Sequence, residues 1–424
     1  MAARLVRDEE VAGSNPAIPT RCHKGKSLTK RSVLAAGILL LFGQLFLISV
    51  APMTRAAGTF TQVVGVAILA PDSVLYLPPE GSNGLVLDAP WTRWTYPVLI
   101  LLSDRIGDQY LGVIIMQSAA LWLAGALLFA EMQRTVSLRA AWFAAAILLL
   151  NPMTAQWSRI IMSEAIFFAA IATVLALLRR WLDDRSPWRA SLAVLIAIGV
   201  LFLRPNGFLV LASALTVLLM VVLAGRRSRR LSVTAVWLAA AILLPIASAA
   251  TGPPAEGSFT SQIYDGVVVE GAAHVRTVIR MPAPADPQDE SYAAAVQYAA
   301  SNPVAIARLG AARLIAETAQ VRRHYPALIN GLMGGAMAIF LIALLLGSLS
   351  RRSEGWRLVG ATLALPLMFM TTITFAVAEG RYGWGYLIAL SPLVAIGADR
   401  AVERVQHHML LARRRSIGQG TTST

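Results

Sequence analysis

"YLGVIIMQSAALWLAGALLFAEMQRTVSLR", Tyr110 to Arg139, decides how the rest of the chain reads. Its first 21 residues, to Ala130, carry no charge, and an uncharged apolar run of about 20 residues is what an α-helix needs to cross the hydrocarbon of a bilayer. Arg134 and Arg139 then fall in a short polar link, the kind of basic flank that marks a loop on the cytoplasmic side.

The whole chain repeats that pattern. Of its 424 residues, 56% are hydrophobic and only 14% charged, against about 25% charged in soluble domains. The formal charge of +14 sits in short clusters between apolar runs, so it reports topology, and no nucleic-acid partner is expected. A single cysteine, Cys22, excludes an internal disulfide and a cysteine-built metal cage. The histidines (His23, His274, His324, His407, His408) show no metal-site spacing.

Spans are expected at Val33–Val50, Tyr110–Ala130, Leu138–Leu150, Trp157–Leu178, Ser191–Leu203, Gly207–Ala224, Leu231–Ala249, Ile329–Leu349, Leu358–Val377 and Tyr386–Ala401. The third and fifth are short. With a cytoplasmic N-terminus, "KGKSLTKR", "EMQRTVSLR", "RRWLDDRSPWR", "GRRSRR", "SRRSEGWR" and the tail with "ARRRS" all fall inside. The expectation is an all-α polytopic membrane protein of about ten transmembrane helices, integral to a bacterial inner (plasma) membrane, with both termini cytoplasmic.

Residues 33–401 form one polytopic domain, between a basic cytoplasmic flank at 23–32 and a basic cytoplasmic tail at 402–424. Residues 1–22 read as a start codon assigned too early or as a disordered tail, because Gly13-Ser14-Asn15-Pro16 is what a transfer-RNA T-arm sequence encodes. Two outer loops are long, at about 53–109 and 250–326. In the first, "TFTQVVGVAILA" is too short to span and is expected as an interfacial helix, as is "YPVLILLSDRIGD". The second mixes seven acidic residues with six arginines and is expected to be a small helical cap without a core of its own.

Ionisable residues beside spans are costly and so are functional candidates. Asp72, Asp88, Arg93, Arg159, Glu164, Arg204, Glu379 and Arg381 all fall at or near the outer side of this topology. Glu164 in "QWSRIIMSEAIFF" either lines a cavity or is a buried acid satisfied by a neighbouring helix. Arg204 in "LFLRPNGF" either binds a phosphate through its planar fork or caps the outgoing helix. Asp72 in "APDSVLYL" would serve equally as a helix N-cap. "AEGRYGWGY" offers Glu379, Arg381 and Tyr382 for a hydroxyl-rich or phosphorylated ligand, with Trp384 and Tyr386 as interface anchors. Arg322, Arg323 and His324 add charge at the same level or serve as anchors themselves.

The order of these features resembles that of the C-type polytopic membrane glycosyltransferases, which include protein mannosyltransferase, aminoarabinose transferase and lipopolysaccharide-core glycosyltransferase-like families. The resemblance covers about Val33 to Arg400 and rests on "PDSVLYL", "TYPVLILL", "NPMTAQWSRIIMSEAIFF", "LRPNG" and "EGRYGWGY", taken in that order. It implies inverting transfer of a sugar from a polyprenyl-phosphate carrier to a glycan, lipid or protein acceptor at the outer face of the membrane. Asp72 would be the catalytic base. Arg381, Arg204 and Arg159 would stabilise the leaving phosphate, with Tyr76 and Glu379 positioning sugar or acceptor.

Many relatives hold two close acids in the first loop, sometimes as a metal-binding DxD. Here Asp72 is followed by serine and valine, with Asp88 sixteen residues on, so no cofactor is certain and a divalent metal stays open. Two other readings remain. One is a transporter or flippase of a lipid-linked sugar, which would spread polar residues over the midplane. The other is a noncatalytic relative that binds the carrier lipid.

Overall fold

The computed structural model describes residues 30–55, 62–64, 67–69, 95–103, 110–151, 154, 163–204, 206–224, 259–269, 277–289, 291–319, 326–374 and 384–420. It is mostly helical. The helices are α1 (Lys30–Arg55), α2 (Thr95–Ser103), α3 (Leu111–Thr135), α4 (Leu138–Leu149), α5 (Glu164–Asp184), α6 (Pro187–Leu201) and α7 (Gly207–Ala224). After these come α8 (Phe259–Tyr264), α9 (Tyr292–Ser301), α10 (Pro303–Ala319), α11 (Ala327–Ser348), α12 (Glu354–Thr374) and α13 (Trp384–Gly420). Every expected span carries a helix over all or most of its described length, except Leu231–Ala249, which lies outside the described residues.

Four helices are long and apolar enough to cross a membrane by themselves, at Leu111–Thr135, Glu164–Asp184, Asn330–Ser348 and Trp384–Ala412. At 1.5 Å per residue, the 12 residues of α4 and the 15 of α6 reach only about 18 and 22 Å of a roughly 30 Å hydrocarbon layer. Apolar side chains also cover the outside of the bundle. Leu328, Leu332, Ile339, Ile342, Leu345 and Leu349 line one exposed flank of α11, a surface that only lipid or another protein could cover at low cost.

At the centre stand α5 and α13. In both, 72% of the most apolar window is buried. α5 packs on α3, α6, α12 and α13, and α13 on α4, α11 and α12. The α11–α13 crossing is the closest, because Gly347 and Gly397 sit in it. A Cβ on Gly397 would come 1.7 Å from the Ala343 carbonyl oxygen, and one on Gly347 1.8 Å from that of Leu393. Ala343 and Gly347, four apart on α11, and Gly397 on α13 let the two backbones touch, and such small residues are a main device for packing helices in lipid.

One end of the bundle is laced with ion pairs. Arg134 at the end of α3 joins Glu131 and Asp183, Arg180 reaches Glu131 at 3.6 Å, and Arg189 pairs with Asp184. Ser137 caps α4 by accepting from Ala140 N, and its hydroxyl donates to Asp399 of α13 at 2.7 Å, while Arg139 holds the same carboxylate at 2.9 Å. Arg352, in a 3-10 turn between α11 and α12, reaches Glu403 at 3.2 Å. Three of the basic clusters read from the sequence and the start of the tail therefore meet at one end, as alternation of the spans requires.

Two expectations for the loops need correction. The stretch containing Gln62–Leu69 is not helical. Its strands β1 (Gln62–Val64) and β2 (Ala67–Leu69) pair antiparallel, with Val64 opposite Ala67. Valine and isoleucine favour strands, and Gly65-Val66 is the glycine-first dipeptide that two-residue hairpins prefer. α2, the other expected interfacial segment, is helical.

The cap is helical but not coreless. Besides α8, α9 and α10 it contains the antiparallel pair β3 (Val267–Val269) and β4 (Thr277–Val278). Ile263, Val268, Val269, Tyr298 and Leu309 form a separate apolar cluster. Fully buried Arg313 of α10 ties it together, donating to the carbonyls of Val267 at 2.8 Å and Gln262 at 3.2 Å. Tyr298 donates to the Pro282 carbonyl at 2.7 Å, and burial raises its phenol pKa above the usual value. The cap rests on the bundle through α8 and α10 against α12, and through α10 against α11.

Candidate functional site

The end of the bundle opposite the ion-pair lattice gathers the starts of α5, α7 and α13 and the end of α6. The chain turns from α6 into α7 almost without a loop. Leu203 N and Arg204 N both donate to the Val200 carbonyl, and Gly207 N donates to that of Arg204 at 2.9 Å. A Cβ at Gly207 would lie 1.9 Å from the Val200 oxygen, so only glycine lets α7 begin there. This tight turn holds Arg204 against the bundle, with its side chain 8% exposed.

The guanidinium meets α5. One terminal nitrogen of Arg204 lies 3.0 Å from Oε1 of Glu164, a residue with no exposed surface. Its carbon also sits 5.4 Å above the ring of Phe167, one turn along the same helix. Glu164 occupies the first turn of α5, where the helix dipole favours a negative charge. The two candidates, forty residues apart in sequence, are thus partners. One oxygen of the buried Glu164 carboxylate is paired with the Arg204 guanidinium, which is itself almost wholly buried.

Trp384 and Tyr386, expected as lipid-facing anchors, are not on the lipid side. They are 7% and 2% exposed. An aromatic belt faces the headgroups, whereas the start of α13 is inserted between α5 and α12. The position a Cβ would take on Gly385 is 3.2 Å from the Phe167 ring, with Ile171 and Leu367 next nearest. Tyr386 reaches the cap, where its hydroxyl meets the Thr318 side chain of α10. A continuous line of contacts therefore runs from Arg204 over Phe167 and Gly385 to Tyr386 and the cap.

Several buried polar atoms at this end have no hydrogen-bond partner among the described residues. They are the indole Nε1 of Trp384, Oδ1 of Asn206 beside Arg204, and the hydroxyl of Thr154 after α4. Nearly all buried polar groups in folded proteins are paired. A concentration of unpaired donors and acceptors can serve a ligand carrying many hydroxyl groups.

Of the residues read from the sequence as catalytic or substrate-binding, the structure brings Glu164 and Arg204 together. Asp72, Tyr76, Asp88, Arg159, Glu379, Arg381 and Tyr382 lie outside the described residues, as do Arg322, Arg323 and His324. No group of three or more His, Cys, Asp and Glu suited to a metal ion occurs among the described residues, and Asp72 and Asp88 are not among them. Sequence reading passed over Asn206, Thr154 and Glu317. Only Glu317 left a trace, as a lone acid in the apolar run "ARLIAETA" with Arg313 four residues before it.

Residues 89–251 match the family described as dolichyl-phosphate-mannose-protein mannosyltransferase. The match covers less than half of the chain but includes α2 to α7 and both members of the Glu164–Arg204 pair. It supports the resemblance to C-type membrane glycosyltransferases and points to a membrane glycosyltransferase that uses a polyprenyl-phosphate-linked sugar. No curated protein and no solved structure matches the chain.

Proposed function

We propose that the chain transfers a sugar from a polyprenyl-phosphate carrier to a glycan, lipid or protein acceptor of the cell envelope, at the outer face of a bacterial inner membrane. The observation that carries this reading is the family match over 89–251, the segment in which Glu164 and Arg204 pair. Burial of charge supports it against transport. Among the described residues, the buried acidic and basic side chains are Glu131 and Asp399 at the laced end, Glu164 and Arg204 at the other, and Arg313 and Glu317 in the cap. None lies at mid-bundle, where a transporter would hold its cargo.

In this reading the acceptor hydroxyl attacks the anomeric carbon of the donor and gives its proton to the Asp72 carboxylate. The bond from that carbon to the phosphate oxygen breaks, and the polyprenyl phosphate leaves with the electron pair. Attack opposite the leaving group inverts the anomeric centre. Arginines suit the developing phosphate charge because their donors match its oxygens in pairs. Arg381 and Arg159 take that role. Arg204, already paired, acts through Glu164 to hold the ends of α5 and α6 at the site. Tyr76, Asp88, Glu379 and Tyr382 complete the binding surface.

Membranes containing the chain or its Asp72→Asn form, given radiolabelled polyprenyl-phosphate sugars and an envelope extract, test this. The parent should label an acceptor and the variant should lose about a hundredfold or more, the range of a general base. Equal labelling by both forms removes Asp72 from the mechanism.

A further inference from the structure

At the laced end, α13 runs on past the rest of the bundle. At 1.5 Å per residue, Arg400 lies about 24 Å and His408 about 36 Å along the helix from Trp384, against a hydrocarbon layer of roughly 30 Å. The helix therefore leaves that layer between the two and enters the headgroup level. There Arg400, Glu403, Arg404, His407 and His408 line an open cleft of about 260 Å³. Spacings of three and four residues put all five on one side of the helix. Arg404 stands two turns beyond Gly397, on the side of α13 that touches α11. α11 ends at Ser348, so the cleft continues that seam where α11 no longer covers it.

The charges around the cleft do not cancel. Glu403 lies 3.2 Å from Arg352 and 3.7 Å from Arg139, and Arg139 also holds Asp399 at 2.9 Å. Two acids are thus matched by two arginines from neighbouring elements. Arg400 and Arg404 are left over, with no ion pair or hydrogen bond among the described residues. Arg400 is half-buried, where a guanidinium without a partner is costly. The exposed rings of His407 and His408 add N–H donors, and donors so grouped suit the oxygens of a phosphate. On the membrane side of the cleft, the apolar flank of α11 ends in Leu345 and Leu349, 62% and 71% exposed. Inorganic phosphate or an acidic peptide would answer the arginines and leave these leucines bare, whereas a phosphate that carries acyl chains answers both.

We infer that this cleft binds an anionic phospholipid of the adjoining leaflet. Arg400 and Arg404 hold its phosphate with help from His407 and His408, and its acyl chains lie along α11 at Leu345 and Leu349. A basic side chain just past a membrane helix strengthens binding of anionic headgroups about fivefold. The site is at the end of the bundle away from the Glu164–Arg204 pair and does not depend on the glycosyltransferase reading. The test is native mass spectrometry of the purified full chain in detergent, titrated with phosphatidylglycerol or with phosphatidylcholine. The parent should retain one phosphatidylglycerol more tightly than any phosphatidylcholine. Arg400→Gln with Arg404→Gln should weaken that binding roughly 25-fold, with the Tm in phosphatidylcholine unchanged. Arg351→Gln, which removes an exposed arginine of the same end from outside the cleft, should leave binding nearly unchanged.

A second measurement needs no variant. Phosphatidylglycerol with a photoreactive group on an acyl chain should mark residues 345–349 of the parent, and unlabelled phosphatidylglycerol should compete that mark away while inorganic phosphate does not. Equal retention of the two lipids by the parent, undiminished binding in the double glutamine variant, or an equal loss in Arg351→Gln overturns the inference. So does a photolabel that misses residues 345–349, and displacement by inorganic phosphate would make the cleft a site for free anions instead.

Discussion

Breaking the Glu164–Arg204 pair one side at a time, and then both sides together, separates a structural pair from a working arginine. Arg204→Met keeps the length and much of the volume of the side chain but leaves a fully buried carboxylate facing a thioether. Removing one member of a buried ion pair costs about 3–5 kcal/mol. The contact with Phe167 contributes about 0.5–2 kcal/mol more, part of which methionine recovers through its own sulfur–aromatic contact. Glu164→Gln takes the carboxylate out of the pair and should cost a similar amount. The double variant removes both charges of this pair and should return to within about 1 kcal/mol of the parent, or exceed it.

The assay is unfolding of the purified full chain in mixed micelles, read as a double-mutant cycle. A coupling of about 2 kcal/mol or more is expected. Losses that simply add would refute the view that the two side chains act as one unit. Activity then divides the roles. If the double variant is stable and still transfers sugar, the pair serves to position α5 and α6; if it is stable and inactive, the Arg204 charge acts in the reaction itself.

Gly397→Ala places a Cβ within 1.7 Å of a backbone oxygen. It should cost about 1–3 kcal/mol by prising α11 from α13, read by thermal unfolding. Gly331→Ala and Gly335→Ala on α11 meet nothing within 4 Å and should be neutral or gain up to about 1 kcal/mol through helix propensity. Ser137→Ala removes both the α4 cap and the hydroxyl bond to Asp399; about 1–3 kcal/mol should be lost in the same measurement. Arg313→Met deletes the two bonds to the Val267 and Gln262 carbonyls and should speed limited proteolysis within 259–319. Unchanged cleavage would mean that the apolar cluster alone holds the cap.

The helices were legible because apolar length and basic flanks are local properties of the sequence, as in Leu111–Thr135 with Arg134 at its end. Facing was not. "GRYGWGY" has the composition of an interfacial anchor, and only the insertion of Gly385 against Phe167 shows that Trp384 and Tyr386 point into protein. The hairpin at Gln62–Leu69 was missed because an apolar run that short carries no period that separates strand from helix. Glu164 and Arg204 were each singled out as costly charges, but their partnership depends on how α5 and α6 pack, which sequence spacing does not encode. Glu317 escaped notice because a solvated cap has no cost argument that makes one acid stand out. It is nonetheless buried, on a helix that packs against both the rest of the cap and the bundle.

The central claim is that sugar leaves its lipid carrier on this chain. The most direct test is to follow both products with the purified protein in lipid vesicles, supplying a doubly labelled polyprenyl-phosphate sugar and an envelope acceptor. The account predicts one polyprenyl phosphate released for each sugar joined to acceptor, with the anomeric configuration inverted. Movement of intact donor across the bilayer without release of the carrier, or no turnover of any donor, would contradict it.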